Sequence, residues 1–476
     1  MAENYWPPRH LIVAENAAYV GAPGEPVMVL GSDGLVAGMA VHDGITLGGV
    51  AIPYIDGDTG AHVNPVTGSA SVIGPIITDT PANNLIGLQA QVDQFGYAFL
   101  PRGTTQISAC LTLGDGATLA GHGAGGLSTL KLASAANDNV IRNADRTNGN
   151  RGIQIRNLVI DGNKSGQSSV LNGIDLLLPN DLTIDNVEVK SVKGIGIYAV
   201  GTGQASCTNG WISRVYSHDN AGSGAHFGNG FRRVKFTDIT SIGNSVNGWI
   251  IDISEAEAHG IKCHNNTQWG IYIRNVVACN LNGLEANCNG AHGIHVLGLN
   301  HSIGSNWSAH NNGQSASGSD VYFNEDNTFG YGTTKDTVIS GLNVGATDQS
   351  GFQWSGGIAQ TPVTEEYGLS VDDGVTDNVA ILNVRCSVAG TLGSFRAPSS
   401  AGNLVITTFP FGNAAHNVFR GNMLLQQGYF EARSITAPSA PANNGGRLFT
   451  RQNGSSKTEL CVIFKTGAIQ IIATEP

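Results

Sequence analysis

Charge is scarce in this chain: 25 Lys and Arg and 36 Asp and Glu among 476 residues, 13% in all, for a net charge of −11. The basic residues are scattered, so no Lys/Arg stripe is available to neutralise phosphates, which argues against nucleic acid as a partner. Helical heptads are also missing, whereas an α-solenoid would be rich in Ala, Glu, Lys and Leu. No apolar run approaches membrane-spanning length, and Met1 to Pro8 has neither a basic n-region nor an apolar h-region. Neither membrane insertion nor an export signal is expected. The seven cysteines are odd in number and lack paired metal spacing. They read as small core residues of a chain folded under reducing conditions, and no metal or cofactor is expected.

What is abundant is glycine, 65 residues, and a degenerate repeat. Asn220, Asn244, Asn266, Asn289 and Asn312 recur at intervals of 24, 22, 23 and 23. Each follows a short phrase: Val215-Tyr216-Ser217, Ile239-Thr240-Ser241, Ile261-Lys262-Cys263, Leu284-Glu285-Ala286, Trp307-Ser308-Ala309. Strand side chains alternate, so the large first and small third positions point inward and the middle one faces solvent. A second phrase keeps step with the first, its glycines at Gly173, Gly196, Gly224, Gly248, Gly270 and Gly293. Two strands and their turns per period predict a solenoid whose coils bury their apolar faces against one another, and the strand character makes it a parallel β-helix. The asparagines are expected to hydrogen-bond turn backbone and the same amide one coil away, and both they and the glycines to tolerate left-handed geometry.

Residues 1 to 80 do not share this period and read as a small β-rich module, with strand candidates such as Val27–Leu30 and a turn at Asp33-Gly34. Residues 84–95 predict a short amphipathic helix, capped by Asn84 and stopped by Gly96, that plugs the open end of the solenoid through Leu85, Leu88, Val92 and Phe95. There follow Phe99-Leu100-Pro101-Arg102-Gly103-Thr104, Leu111-Thr112-Leu113 and Thr118-Leu119-Ala120-Gly121-His122-Gly123. This order of capping helix, "hydrophobic-Leu-Pro-x-Gly-Thr", "Leu-Thr-Leu" and "Thr-Leu-x-Gly-x-Gly" resembles the opening coils of pectate-lyase-like right-handed β-helix proteins, a group that includes many bacteriophage tailspikes. The period loosens beyond Gly345, and the helix is expected to run over 81–410. Residues 411–476 form a separate C-terminal module, in which Asn453-Gly454 between strand-like runs predicts a hairpin.

The resemblance implies a phage tailspike: a homotrimer of the virion tail that attaches to tail or adaptor proteins through residues 1–80, meets host surface glycan through the β-helix, and carries a trimerisation or recognition tip. A lysis-released virion protein needs no signal peptide. Depolymerisation of the glycan, by hydrolysis or by elimination, is the expected activity. The alternatives are a spike that binds without cutting, a structural tail protein and a free pectate-lyase-like enzyme.

Two residues after each repeat glycine stand Asp175, Tyr198, His226, Ile250, Tyr272 and His295, and Tyr322 joins them if Asp320 replaces the glycine. Stacked about 4.8 Å apart they form one stripe, extended by Asp252 and Arg274 two residues further on. Aromatic faces with polar flanks suit sugar rings, so Tyr198, His226, Tyr272, Arg274, His295 and Tyr322 are the candidate substrate-binding residues. The plainer alternative is that Tyr and His merely favour exposed β-surface. Hydrolysis needs two carboxyls about 5–5.5 or 6.5–9.5 Å apart. Glu188 and Glu285, four coils apart at about 19 Å, fail this test, as do Asp175 and Asp252. The acidic group beside the stripe is Asp252-Ile253-Ser254-Glu255-Ala256-Glu257, with Glu255 and Glu257 on one face if extended, and Asp252, Glu255 and Glu257 are the candidate catalytic residues. An elimination would instead draw on Tyr272, Arg274 and His295. His218, His264 and His310 recur two coils apart, too far to share zinc, and Asp372, Asp373 and Asp377 read as a turn rather than a calcium site.

Overall fold

The computed structural model describes residues 80–201, 207–314, 318–324, 334–345, 367–372, 376–386, 393–396, 404–406 and 446–474 (apart from Gly454, Ser456 and Lys465), together with seven short strands ahead of residue 80. Val27–Leu30 lies in one of those strands, Pro26–Leu30, part of a four-stranded sheet, and the Asp33-Gly34 turn falls outside the described residues. The chain divides into two compact units, Met1–Gly421 and Asn422–Pro476.

In the first unit each strand pairs in parallel with its counterpart one coil on, from Tyr97–Phe99 to Leu404–Ile406. The chain is a parallel β-helix, with an apolar core running from Leu88 to Val384. The expectation of two strands per coil needs correcting to three. The asparagine phrase is preceded by a further strand, and a left-handed residue bends the pair into two faces. That residue is Asn157, Asn186, Arg214, Asp238, Gly260, Gly283, Asn306, Gly341 and Asn383 in successive coils. We number as first the face of the glycine phrase, as second the strand before this bend (for example Gly210 to Ser213) and as third the asparagine phrase.

The inward and outward assignments hold. Val215, Ser217, Ile261, Cys263, Leu284, Ala286, Trp307 and Ala309 are buried, while Tyr216 and Lys262 are exposed. The five asparagines form an unbroken buried ladder, each Nδ2 donating to the next Oδ1 at 2.9, 2.9, 3.0 and 2.9 Å. Neither they nor the repeat glycines take left-handed geometry, contrary to the sequence-based expectation; it is the residue before each asparagine that does, as at Asp219, Gly243, Asn265 and Asn311. The glycines are required for space. A Cβ on Gly224 would stand 1.9 Å from Ser241 Oγ, 2.7 Å from Gly248 O and 2.8 Å from Asn244 Nδ2. Small third position, glycine and asparagine are therefore one knot, tied once per coil.

Asp320 does replace the glycine: it pairs as Gly293 and its predecessors do, and its Oδ1 accepts from Asn312 Nδ2 at 2.7 Å, closing the ladder with a carboxylate. Glu188 and Glu285 stand four rungs apart on the third face, and His218, His264 and His310 two rungs apart, as spaced in the sequence.

The helix spans Pro81–Phe95. Its N-cap is Thr80, whose Oγ1 accepts from Asn83 N, and Gly96 at φ 64° ends it. Asn84 is not the cap but a buried residue that donates to Gln106 O at 2.9 Å. Leu88 and Val92 are buried, whereas Phe95 is 49% exposed. Gln89 exchanges two 2.9 Å hydrogen bonds with the Thr112 backbone. The helix thus saturates part of the first coil's open strand edge, which would otherwise be free to pair. No described helix is long and apolar enough to cross a membrane. In the second unit Gly446–Gln452, Thr458–Phe464 and Ile469–Thr474 form an antiparallel sheet, the expected hairpin closing through Asn453 N to Lys457 O. The six described free cysteines are buried.

Candidate active site on the first face

Outward positions of the first face stack in register as Arg142, Asp175, Tyr198, His226, Ile250, Tyr272, His295, Tyr322, Ser370 and Arg396. All five aromatic members proposed from the sequence are brought together, with Ile250 dividing them into two groups. Tyr272, His295 and Tyr322 stack nearly parallel, with ring centroids 5.1 Å apart and interplanar angles of 26° and 27°. Tyr198 meets His226 edge-on at 5.3 Å.

A second row backs the first. Trp269 lies 4.4 Å from Tyr272 and 4.6 Å from His295, and His292 lies 4.3 Å from Tyr322. These two were missed as stripe residues although the signal was present: each immediately precedes a repeat glycine, so each occupies the turn leading into the first face.

Arg274 spans the gap at Ile250. Its Nη2 lies 2.9 Å from His226 Nε2, and its guanidinium carbon 5.9 Å from the Tyr272 ring centroid. A guanidinium only donates, so His226 Nε2 accepts and the imidazole proton sits on Nδ1. Burial, reinforced by Arg274, lowers the His226 pKa to about 3, and the ring is neutral near pH 7. Asp252, buried, accepts from Asn275 Nδ2 at 3.1 Å and stands 4.0 Å from Arg274 Nε. Burial raises the Tyr198 pKa, and Asp175 adds to the effect. Asp175 itself is held by Arg146 at 2.7 Å and Asn139 at 2.9 Å.

Burial likewise lowers His292 to about 4 and His295 well below the ordinary value. His292 Nδ1 accepts from Ser319 N at 2.9 Å, but neither ring nitrogen of His295 has a hydrogen-bond partner among the described residues. Further along, Tyr322 donates its hydroxyl to Asp372 Oδ2 at 2.5 Å, and Arg396 pairs with Asp372 Oδ1 at 2.8 Å. Asp373, the neighbour of Asp372 in the acidic turn, lies outside the described residues.

The extended reading of residues 252–257 is corrected. Glu255 has φ 52° and is a corner, in line with Asp181, Asn209 and Arg233 of earlier coils. It pairs with Arg232 and, at 3.1 Å, with Arg233. Beyond that corner Glu257 opens the second face, 3.7 Å from Lys235 and 3.9 Å from His259. Glu255 and Glu257 therefore share no face, and of the three candidates Asp252 alone stands beside the aromatic column. The other carboxylates of that column, Asp175 and Asp372, are three and four coils from Asp252, about 14 and 19 Å. Neither distance fits a hydrolytic pair.

No protein-family model matches this chain, and no curated protein matches it. Among solved structures the fold is similar to the enzymatically active domain of tailspike protein 2 of bacteriophage CBA120, at 14% identity over 99% of this chain and 80% of that one, with a TM-score of 0.54. The full-length tailspike protein 2 of an Escherichia coli O157:H7 bacteriophage is 14% identical over 99% of this chain and 72% of its own, with a TM-score of 0.50. The A-module of the Azotobacter vinelandii mannuronan C-5 epimerase AlgE6 is 18% identical over 70% and 96%, with a TM-score of 0.48. At these identities the likeness to tailspikes is one of fold, the parallel β-helix anticipated from the opening coils.

Proposed function

We propose that this chain is a phage tailspike that grips host surface polysaccharide along the aromatic column and depolymerises it at the cluster of Asp252, Arg274, His226 and Tyr198. In this reading it is a homotrimer of the virion tail, attached through residues 1–80 and tipped by residues 411–476. The observation that supports it most is the juxtaposition at the Ile250 gap, where the carboxylate of Asp252 and the guanidinium of Arg274 stand between the edge-on Tyr198–His226 pair, with its neutral imidazole, and the stacked rings of Tyr272 and His295. Tyr272, His295 and Tyr322 offer sugar rings an apolar wall with polar edges.

One carboxylate with a guanidinium beside it favours elimination over hydrolysis. Asp252 removes the proton α to a uronate carboxylate, and Arg274 offsets the charge that develops there. The bond from the ring carbon to the glycosidic oxygen breaks as the double bond forms, and that oxygen leaves with the proton of Tyr198. Tyr198, its pKa raised, arrives protonated and suits this acid role.

A second reading, binding without cleavage, is favoured by the neutral His292 and His295 stacked against Tyr272 and Tyr322, which resemble a platform more than a proton relay. Incubation with a panel of bacterial surface polysaccharides separates the two. Cleavage releases reducing ends and raises absorbance at the unsaturated-uronate band. Asp252→Asn is expected to lower that rate about 100-fold or more while retaining the glycan, and Glu255→Gln to leave it unchanged. Undiminished product from Asp252→Asn removes Asp252 from the chemistry, and a bound glycan that yields no product selects the binding reading.

A further inference from the structure

The second face carries a group that the first-face site does not use. Trp211 is 52% exposed, yet its ring is fixed. The indole Nε1 donates to Ser213 Oγ at 2.9 Å, and that hydroxyl donates to Asp185 Oδ1 at 2.6 Å. Asp185 is itself held by Arg214 through Nε at 3.0 Å and Nη2 at 2.5 Å. These bonds draw the carboxyl of Asp185 below its ordinary pKa, Arg214 contributing most, so the chain of bonds persists in mild acid. An exposed tryptophan needs no explanation as such. One whose polar edge is satisfied from within, through three further side chains, is a preorganised apolar plate.

Polar groups continue from the plate at coil spacing. The outward column runs Trp211, Lys235, Glu257, Asn280, and the neighbouring one Ser213, Thr237, His259, Asn282. Lys235 Nζ lies 5.4 Å from the Trp211 ring centroid and 3.7 Å from Glu257 Oε2, and His259 Nε2 lies 3.9 Å from the same carboxylate. Lys235, Glu257 and His259 are more than a third exposed. The face therefore offers one rigid aromatic surface followed by donors and acceptors, about 4.8 Å apart, open to solvent.

We propose that Trp211, with Lys235, Glu257 and His259, forms a second glycan-binding site on the second face, taking a sugar ring on the indole and its hydroxyls on the polar column. The inference rests on the polysaccharide reading of the first face, but on different residues. It also gives Glu257 a role in binding, separate from the chemistry at Asp252. A polysaccharide chain long enough to touch both faces would be held by two attachments, whereas a short oligosaccharide would occupy one.

The test uses the full chain with immobilised polysaccharides from a bacterial surface-glycan panel, every glycan retained by the wild type being titrated against Trp211→Ala, Trp211→Phe and Tyr272→Ala. Thermal melting and light scattering verify fold and mass. Trp211→Ala is expected to weaken binding about two- to tenfold, the loss of one aromatic contact, and Trp211→Phe to restore most of it. Unchanged affinity in Trp211→Ala alongside weakened binding in Tyr272→Ala overturns this site and leaves the first face standing. A change of oligomeric mass in Trp211→Ala assigns the ring to a contact between copies and also overturns it. A wild-type chain that retains no glycan overturns both readings.

Discussion

The asparagine column and the aromatic column climb the same tube at the same step, yet they differ in how completely their polar atoms are used. Asn244, Asn266 and Asn289 of the first each donate to the next asparagine, accept from the previous one and take its backbone N–H, while at the ends Asn220 accepts from Val192 N and Asn312 donates to Asp320. The aromatic column is interrupted by Ile250, bridged by Arg274 and Asp252, and contains in His295 an imidazole with no hydrogen-bond partner among the described residues. A column that repeats without exception and is fully bonded holds the solenoid together. A column that varies and leaves buried polarity unspent holds something else.

The largest effect that tests this contrast is expected in the middle of the asparagine ladder. Asn266→Ala strips an acceptor from both Asn244 Nδ2 and Asn244 N and a donor from Asn289 Oδ1, all in a site at or near zero exposure. Unsatisfied buried groups cost about 1–3 kcal/mol each, and the ladder bonds polarise one another, so a loss of about 3 kcal/mol or more is expected in chemical denaturation. A loss below about 1 kcal/mol would mean that the coils are held by their apolar core alone.

The two columns also respond oppositely to pH. Burial raises the Asp320 carboxyl to about 6, against the pull of Asn312, His310 and Gly345. A raised acid favours its neutral form in the fold, so its contribution is fully present below the ordinary value of 3.8 and is lost as pH rises through about 6. His226 and His292, lowered to about 3 and 4, contribute above 6.5 and lose that contribution as pH falls towards 4. Asp320→Asn keeps an oxygen for Asn312 Nδ2 and removes the titration. Its stability relative to wild type is expected to improve between pH 5 and pH 8, by on the order of 1–3 kcal/mol, in melts run across that range. A difference that does not move with pH would place the titration elsewhere.

How much of this could be read in the chain follows from the same distinction. The asparagine and glycine spacings are legible because one steric knot recurs in each coil and tolerates almost no variation. The left-handed bend between the second and third faces recurs just as regularly but accepts Asn, Asp, Gly and even Arg214, so no single letter betrays it. The same holds of the corner at Glu255, where an acidic residue in a site elsewhere filled by Asp181, Asn209, Arg233, Ala278 and His301 resembles a catalytic group and is a turn paired with Arg232 and Arg233. Helix limits moved for a similar reason: Thr80-Pro81 starts the helix, and Asn84, a good cap by type, is drawn inward by Gln106 O. Tyr198, His226, Tyr272, His295 and Tyr322 were recoverable because strand alternation fixes their side of the sheet once the glycines are aligned. Trp269 and His292 are turn residues, which obey no alternation, and only their place immediately before a repeat glycine marks them.

His295→Phe is the smallest change and the one that probes the aromatic column most directly. The imidazole is 5% exposed, stacks between Tyr272 and Tyr322, and spends neither nitrogen on a hydrogen bond among the described residues. A phenyl ring preserves the stack and relieves the burial of two unpaired polar atoms, so stability is expected to stay level or rise by up to about 1 kcal/mol, with the acid limb of the pH profile moving lower. If the column acts on glycan only as a stacked wall, affinity for a retained polysaccharide should also be unchanged. A variant that melts as well as wild type but loses binding would instead assign a His295 nitrogen to a sugar hydroxyl, and the unspent polarity of this column would then be its reading head.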